Sequence, residues 1–279
     1  MTAHGSPAPQ LQELEARARR AHTPCGDGSI AWRSWGAGAQ VVVLLHGGAG
    51  SWAHWARNIP ALARQFTLWV PDLPGMGESA LPPDPWTPAT IAALLEQGLR
   101  SLVGERQVDL VGFSFGGMIA GHWAARHPER VRRAVIADAA GTGLANPPLG
   151  AMKSWRGITD PAERREIHRH NLCVWMLHDP DKADALATEI ATLGVEADRL
   201  RNREVSGSDS LLRAMPQVQC PVHGIWAEQD VLFAQRRGEV RPALLAAGFA
   251  SVTLVPDAGH WIQYEQPEVF DELVLKLLA

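Results

Sequence analysis

Gly112-Phe113-Ser114-Phe115-Gly116 lies between an apolar run, Val108-Asp109-Leu110-Val111, and a helical pattern that runs from Met118-Ile119-Ala120 to Trp123-Ala124-Ala125. The order strand, sharp turn, helix places Ser114 at the apex, with its hydroxyl raised above the end of the strand. Side chains at 112 and 116 would collide with the neighbouring strand or helix, so both positions call for a residue without a Cβ. A G-x-S-x-G pattern alone also fits an ordinary glycine-rich turn in a chain with 26 glycines. The flanking sequence decides between the two.

Upstream, Val41-Val42-Val43-Leu44-Leu45 is aliphatic without alternation, as a strand buried on both faces of a parallel sheet requires. It runs into His46-Gly47-Gly48-Ala49-Gly50. Ile30–Trp35, Phe66–Val70 and Val131–Ala137 read as further strands, and Thr90–Leu102 and Phe115–Arg126 as helices. Leu11–Ala21 has helical composition, and apolar residues at 52, 55, 59 and 62 predict a helix over Trp52–Leu62. Residues 1–9 read as a frayed end. Downstream, Val222–Ala227 and Ser251–Val255 are strands, and Arg236–Ala247 and Pro267–Leu278 helices. This alternation predicts an α/β protein with a doubly wound, mostly parallel sheet. Between 140 and 211 the strand pattern stops, and Pro161–Leu177, Lys182–Leu193 and Ala197–Arg203 read as helices. A stretch of about seventy residues is too long for a connection. The expectation is a core domain of residues 1–139 and 212–279 with a helical cap, 140–211, inserted in it.

Hydrophobic residues at 46% and charged residues at 20% suit a globular enzyme. A net charge of -4 leaves no basic footprint for nucleic acid. Three cysteines (Cys25, Cys173, Cys220) without a C-x-x-C support neither a disulfide framework nor a zinc site. Reduced thiols and the lack of a secretory signal pattern fit a cytoplasmic protein. No apolar run is long enough to span a membrane. Gly75-Met76-Gly77 lacks the Lys-Ser/Thr of a phosphate-binding loop. No metal and no cofactor are expected, and the partner is a small-molecule substrate. An apolar face on the C-terminal helix or the cap would suit pairing with a second copy.

In a doubly wound sheet, ligands bind outside the carboxyl ends of the strands. The segments emerging there carry Ser114, Asp230 and His260, in that chain order, which is the order of α/β-hydrolases. A serine hydroxyl needs a base within hydrogen-bond reach. His260 can take its proton and return it to the leaving group, while Asp230 orients the imidazole. The oxyanion of a tetrahedral intermediate needs pre-aimed donors. The backbone N–H groups of Phe115 and Gly48 are the candidates. Asp138, at the end of another strand, is a rival acid, and Asp230 would also serve as a simple helix cap. His46 is expected to order its own loop.

Across nearly the whole chain, His46-Gly47-Gly48, Asp72 to Ser79, Gly112 to Gly117, Trp226 to Asp230 and Gly259-His260 resemble the landmarks of the α/β-hydrolase superfamily. Within it, the Gly-rich loop and Gly259-His260-Trp261-Ile262-Gln263-Tyr264-Glu265 are similar to the meta-cleavage-product hydrolases, which split carbon–carbon bonds of ring-opened aromatics. The resemblance implies a substrate-binding role for Trp261, with Phe113 and Gly47 beside it, and a cap arginine for a substrate carboxylate. Arg199, Arg201 and Arg203 are the candidates, with Arg201 put forward. That family usually has Asn where this chain has Phe113, and often His where it has Met118. These departures make the pocket less polar and favour a neutral ester, lactone or amide. The leading expectation is thus a serine hydrolase of esters or activated carbonyls. The alternatives are a carbon–carbon bond hydrolase and a non-enzymatic small-molecule-binding protein on the same scaffold.

Overall fold

A computed structural model describes residues 8–146, 151–201 and 203–279. Residues 1–7, most of the expected frayed end, lie outside the described residues. The strands are β1 (Arg19–Cys25), β2 (Gly28–Trp35), β3 (Val41–Leu45), β4 (Thr67–Pro71), β5 (Val108–Phe113), β6 (Val131–Ala137), β7 (Val222–Ala227) and β8 (Ser251–Val255). They form one sheet in the order β1-β2-β4-β3-β5-β6-β7-β8. β2 runs antiparallel to both β1 and β4, and all other neighbours are parallel. The helices are α1 (Pro9–Ala16), α2 (Ile59–Leu62), α3 (Pro88–Val103), α4 (Phe115–Arg126), α5 (Pro161–Trp175), α6 (Ala185–Ala197), α7 (Ser210–Ala214), α8 (Arg237–Ala246), α9 (Ile262–Glu265) and α10 (Pro267–Leu278).

The unbroken apolar run of β3 is explained by two cores, one on each face of the sheet. Val41, Val43 and Leu45 pack into one with Leu95, Ile119 and Trp123. Val42 and Leu44 pack into the other with Trp55, Phe270 and Val274. Successive strand side chains point to opposite faces, so a strand covered on both sides has no polar positions. On α10, Phe270, Val274 and Leu278 are fully buried against the sheet.

Three expected helices differ. Leu11–Ala21 is helical only to Ala16, and the chain then enters β1. β1 is an edge strand, and its pairing with β2 overrides the helix-forming composition of its arginines. Its edge position also tolerates Pro24. Trp52–Leu62 is a 3₁₀ turn (Trp52–Trp55) followed by α2, because Pro60 restarts the helix rather than continuing it. Of the helix expected over Ala197–Arg203, only Ala197 is helical, as the last residue of α6; residues 198–201 and Arg203 are not. Asp198 ends α6 in an extended conformation, and the Arg199 N–H donates to the Gly75 carbonyl at 2.9 Å. Leu200 is buried against Gly75, so the segment docks extended on the loop after β4.

Between β6 and β7 the chain makes a helical insertion containing α5, α6 and α7. Its two ends run side by side: the Gly141 and Gly143 N–H groups donate to the Ser206 and Ser208 carbonyls, and Leu211 donates back to Gly141.

Candidate active site

β5 ends at Phe113 and α4 starts at Phe115, so Ser114 alone makes the bend, at φ +53° and ψ -116°. An L-residue adopts that backbone only where its surroundings impose it. Here the Ser114 N–H donates to the Ala137 carbonyl of β6 at 2.9 Å, and the Ser114 carbonyl accepts from Gly117, Met118 and Ala140. The flanking glycines leave room for the turn. A Cβ at Gly112 would stand 2.5 Å from the Gly116 carbonyl oxygen, and one at Gly116 would stand 2.3 Å from that of Leu45.

The apex serine meets residues from two other strand ends. Ser114 Oγ lies 2.9 Å from His260 Nε2, and His260 Nδ1 lies 2.7 Å from Asp230 Oδ2. Asp230 Oδ1 accepts the Leu232 N–H at 2.8 Å, so the carboxylate is held from both sides. Asp230 is fully buried and His260 is 3% exposed. With His260 Nδ1–H directed at a carboxylate, Nε2 is left to accept from the serine hydroxyl. This arrangement can take a proton from Ser114 and hold it as an imidazolium paired with Asp230.

The His260 loop is fixed by a residue the sequence reading passed over. Glu265, on α9, accepts the Gly259 N–H on Oε2 at 2.6 Å, and those of His178 and Asp179 on Oε1, both at 2.9 Å. One carboxylate therefore joins the His260 loop to the end of the insertion's first helical hairpin arm. Burial pushes its pKa up and the three backbone donors pull it back.

On the other side of Ser114, His46 orders its own loop. Its Nε2 accepts the Leu73 N–H at 2.8 Å, so Nδ1–H donates to the Gly47 carbonyl at 2.7 Å. Burial lowers its pKa and keeps the ring neutral. This holds Gly47 and Gly48 against the turn. A Cβ on Gly47 would come within 3.3 Å of Ser114 Cβ, and one on Gly48 within 3.7 Å of Phe115 Cβ. Among the described residues, the Gly48 and Phe115 N–H groups donate to no backbone carbonyl.

Ser114 opens into a cavity of about 730 Å³. Phe113, Gly47, Gly48 and Trp261 line the core side, and Trp155 and Trp175 the insertion side. Trp52 and Trp55 are buried in the core instead. Met118 also lies outside the cavity and packs against Gly141, with the Ser210 hydroxyl donating to its sulfur. Trp261 stacks on Tyr264 with ring centroids 4.2 Å apart, and its indole N–H donates to the His54 carbonyl at 3.3 Å. Arg201 does not reach the cavity. It is exposed, with Nη1 turned to the carbonyls of Asp198 and Leu200. Arg199 is engaged by the Ser79 carbonyl. Arg203 is the arginine of this cluster that lines the cavity: its Nη1 lies 3.2 Å from where a Gly48 Cβ would stand, and its Nη2 donates to Asp198. The extended course of 198–201 carries Arg201 outward and leaves Arg203 beside Gly48.

His54 is a cavity residue that the sequence reading did not single out. It is 4% exposed and stands beside Phe113 and Trp261, with ring centroids 5.9 and 5.0 Å away. Burial, reinforced by His46 and His260, drives its pKa well below that of a free histidine, so the ring is neutral. Among the described residues, no group of three or more His, Cys, Asp or Glu side chains is placed to hold a metal ion. No described helix is long and apolar enough to cross a membrane.

The family model described as the alpha/beta hydrolase fold matches residues 40–267. The chain belongs to this family. It is 29% identical over 268 residues to 2-hydroxy-6-oxononadienedioate/2-hydroxy-6-oxononatrienedioate hydrolase 2 of Pseudomonas putida, covering 87% of this chain and 89% of that one. Carboxylesterase YbfK of Bacillus subtilis is 27% identical over 247 residues, covering 86% and 81%. The crystal structure of carboxylesterase CesB (YbfK) from Bacillus subtilis superposes with a TM-score of 0.78 at 24% identity, over 97% of this chain and 94% of that chain. The protein is a hydrolase of the α/β fold, similar both to this dienedioate hydrolase and to this carboxylesterase.

Proposed function

We propose that this protein is a serine hydrolase that cleaves an ester or activated carbonyl of a small, largely apolar substrate through an acyl-enzyme. The observation that carries the reading is the unbroken hydrogen-bonded chain Ser114 Oγ–His260 Nε2 and His260 Nδ1–Asp230 Oδ2, opening on an aromatic cavity. Ser114 Oγ attacks the carbonyl carbon as its proton passes to His260 Nε2. The resulting oxyanion is received by the Phe115 and Gly48 N–H groups, each such donor contributing about 3–4 kcal/mol to the transition state. His260 returns the proton to the departing alcohol, leaving Ser114 acylated. A water then gives its proton to His260 and attacks the acyl carbon. Collapse of that second intermediate releases the acid and restores the Ser114 hydroxyl.

Residues 140–211 act as a cap in this reading. They supply Trp155 and Trp175 opposite the catalytic residues and exclude water from the reacting carbonyl. Phe113 and the neutral His54 keep the floor of the cavity uncharged, which suits an apolar acyl or alcohol group.

A second reading, hydrolysis of a carbon–carbon bond in a ring-opened aromatic, draws on the Pseudomonas putida relative and on Arg203 over Gly48. Against it stands the pairing of Arg203 with Asp198, which a substrate carboxylate would have to displace. The test is hydrolysis of a short-chain p-nitrophenyl ester and covalent labelling by a fluorophosphonate. Ser114→Ala is expected to abolish both, and equal labelling of the variant and the wild type would overturn the reading. An enzyme that decolorises a ring-fission dienolate and leaves simple esters intact would establish the second reading instead.

A further inference from the structure

Asp230 has a neighbour that the mechanism above does not use. Asp138 sits one residue past β6, beside the end of β7, and is fully buried. Its backbone is in the left-handed region at φ +41°, which an aspartate adopts at a cost that the surrounding contacts must offset. Two contacts hold it. The Asp138 N–H donates to the Ile225 carbonyl at 3.2 Å, and Oδ1 accepts the Ala227 N–H at 2.9 Å. Oδ2 is buried, and no N–H or hydroxyl donates to it. What stands next to it is Asp230: Ala227, whose N–H is held by Asp138 Oδ1, also accepts the Asp230 N–H on its carbonyl, so the two buried carboxyl groups interact directly.

A hydrogen bond between two carboxyl groups needs a proton on one of them. Both oxygens of Asp230 are already acceptors, one for Leu232 N–H and one for His260 Nδ1–H. An Asp230 that carried the proton would give up the charge that pairs with the imidazolium. Asp138 has one oxygen bonded to an N–H donor and one that is buried and receives no donor among the described residues, so the proton belongs there. The other charged groups around it agree. Burial, the Asp230 charge and the Glu265 charge all raise the Asp138 carboxyl well above the usual range, against a single opposing backbone donor.

We propose that Asp138 is a positioning residue, held as a neutral acid whose hydroxyl donates to the Asp230 carboxylate, so that the hydrogen-bonded chain from Ser114 runs through four side chains. The proposal rests on the serine-hydrolase reading for its functional consequence and not for the position of the proton. Asp138 fixes the Asp230 carboxylate from the side opposite His260. It also keeps the buried pair at one net negative charge, matched to the one positive charge that His260 gains when Ser114 reacts. No group is consumed: the proton stays on Asp138 throughout the cycle.

The first test needs no substrate. In resting enzyme labelled with ¹³C at the aspartate carboxyls, and carrying Asp271→Asn because burial raises that carboxyl to about 7, one aspartic acid signal is expected to remain protonated at neutral pH and to vanish when Asp138→Asn is added. Absence of a protonated signal, or its survival in Asp138→Asn, would overturn the proposal. The second test is the rate of fluorophosphonate labelling of Ser114 against pH. Asp138→Leu is expected to slow labelling about tenfold or more, the worth of one hydrogen bond to a charged group. It should also move the acid limb of the profile to higher pH, because an Asp230 carboxylate relieved of its donor binds the imidazolium proton more tightly. Asp138→Asn is expected to rescue both, since its amide N–H donates and its Oδ1 accepts in the same places. If Asp138→Asn instead slows labelling and shifts the acid limb downward, Asp138 carried a charge and the proposal fails. Asp138→Leu that labels like wild type also overturns it. If Asp138→Leu does not fold, the carboxyl signal and the Asn variant still decide. A wild type that fails to label sinks the hydrolase reading and leaves the carboxyl measurement standing.

Discussion

The two walls of the cavity are built differently. On the core wall, Ser114, His260 and Asp230 come from three strand ends, and the polar atoms that face one another are hydrogen-bonded at 2.7–2.9 Å. On the insertion wall, Lys153, Ser154 and Arg156 are exposed, and Trp155 is held by softer contacts. The His168 ring lies 5.6 Å from it, and the Arg156 and Arg164 guanidinium groups stand over its face. Among the described residues, the backbone of Lys153 is tied to the Asn171 side chain. The difference teaches where precision is required. The proton transfer proposed for Ser114 and His260 would tolerate little displacement, and its residues sit on the sheet, whereas selection of an apolar group needs only surface of suitable shape.

The comparison breaks most visibly through the core wall. Asp230→Asn leaves the shape of the site but offers His260 a poorer partner, and fluorophosphonate labelling is expected to fall by about 10⁴-fold. A loss under tenfold would mean that Asp230 only caps the turn at Leu232. The insertion wall should respond differently. Trp155→Ala is expected to raise KM for an aryl ester about tenfold with kcat nearly unchanged, roughly the loss of part of one buried aromatic surface. An equal fall in kcat would put Trp155 in the chemical step and erase the contrast. Arg203→Met, which frees Asp198, should lower the preference for a substrate with a distal carboxylate over its neutral twin by a few-fold, with kcat/KM for the neutral ester preserved. No change in that ratio would remove Arg203 from substrate selection.

A different effect, on stability rather than activity, lies in the core away from the cavity. Asp271 on α10 accepts the Asn58 side-chain N–H at 2.9 Å, and burial pushes its pKa up to about 7. The folded protein therefore keeps a proton that the unfolded chain gives up above about pH 4. Stability falls as pH rises through the window between those values and levels off above it. Asp271→Asn should flatten that slope, stabilising the protein at pH 8 by on the order of a few kcal/mol and leaving it little changed at pH 4. The Tm difference between the two pH values, measured for both proteins, checks this, and an unchanged slope would refute it.

Much of this was legible in the sequence because the central strands are self-announcing. Val41–Leu45, Val131–Ala137, Val222–Ala227 and Ser251–Val255 are apolar enough to be read to the residue. The elbow could be read because the glycines at 112 and 116 have a steric reason visible in one dimension. β1 could not, since its arginines favour helix locally and only the pairing with β2 makes it a strand. The choice among Arg199, Arg201 and Arg203 was equally closed, because it depends on Leu200 being drawn under the loop after β4. Asp138 could be noticed as an acid at a strand end, but its contact with Asp230 exists only because β6 and β7 are neighbours in the sheet.

The side-by-side ends of the insertion between β6 and β7, with Gly141 on Ser206 and Gly143 on Ser208, let it leave and re-enter the core at one place, like a cartridge. An engineer could exchange it without re-threading the sheet. Among the tethers that such an exchange would have to respect is the Glu265 carboxylate, which clasps His178 and Asp179 with one oxygen and the His260 loop with the other. A transplanted cartridge that offers no N–H groups at that point would release the loop on which the proton transfer depends.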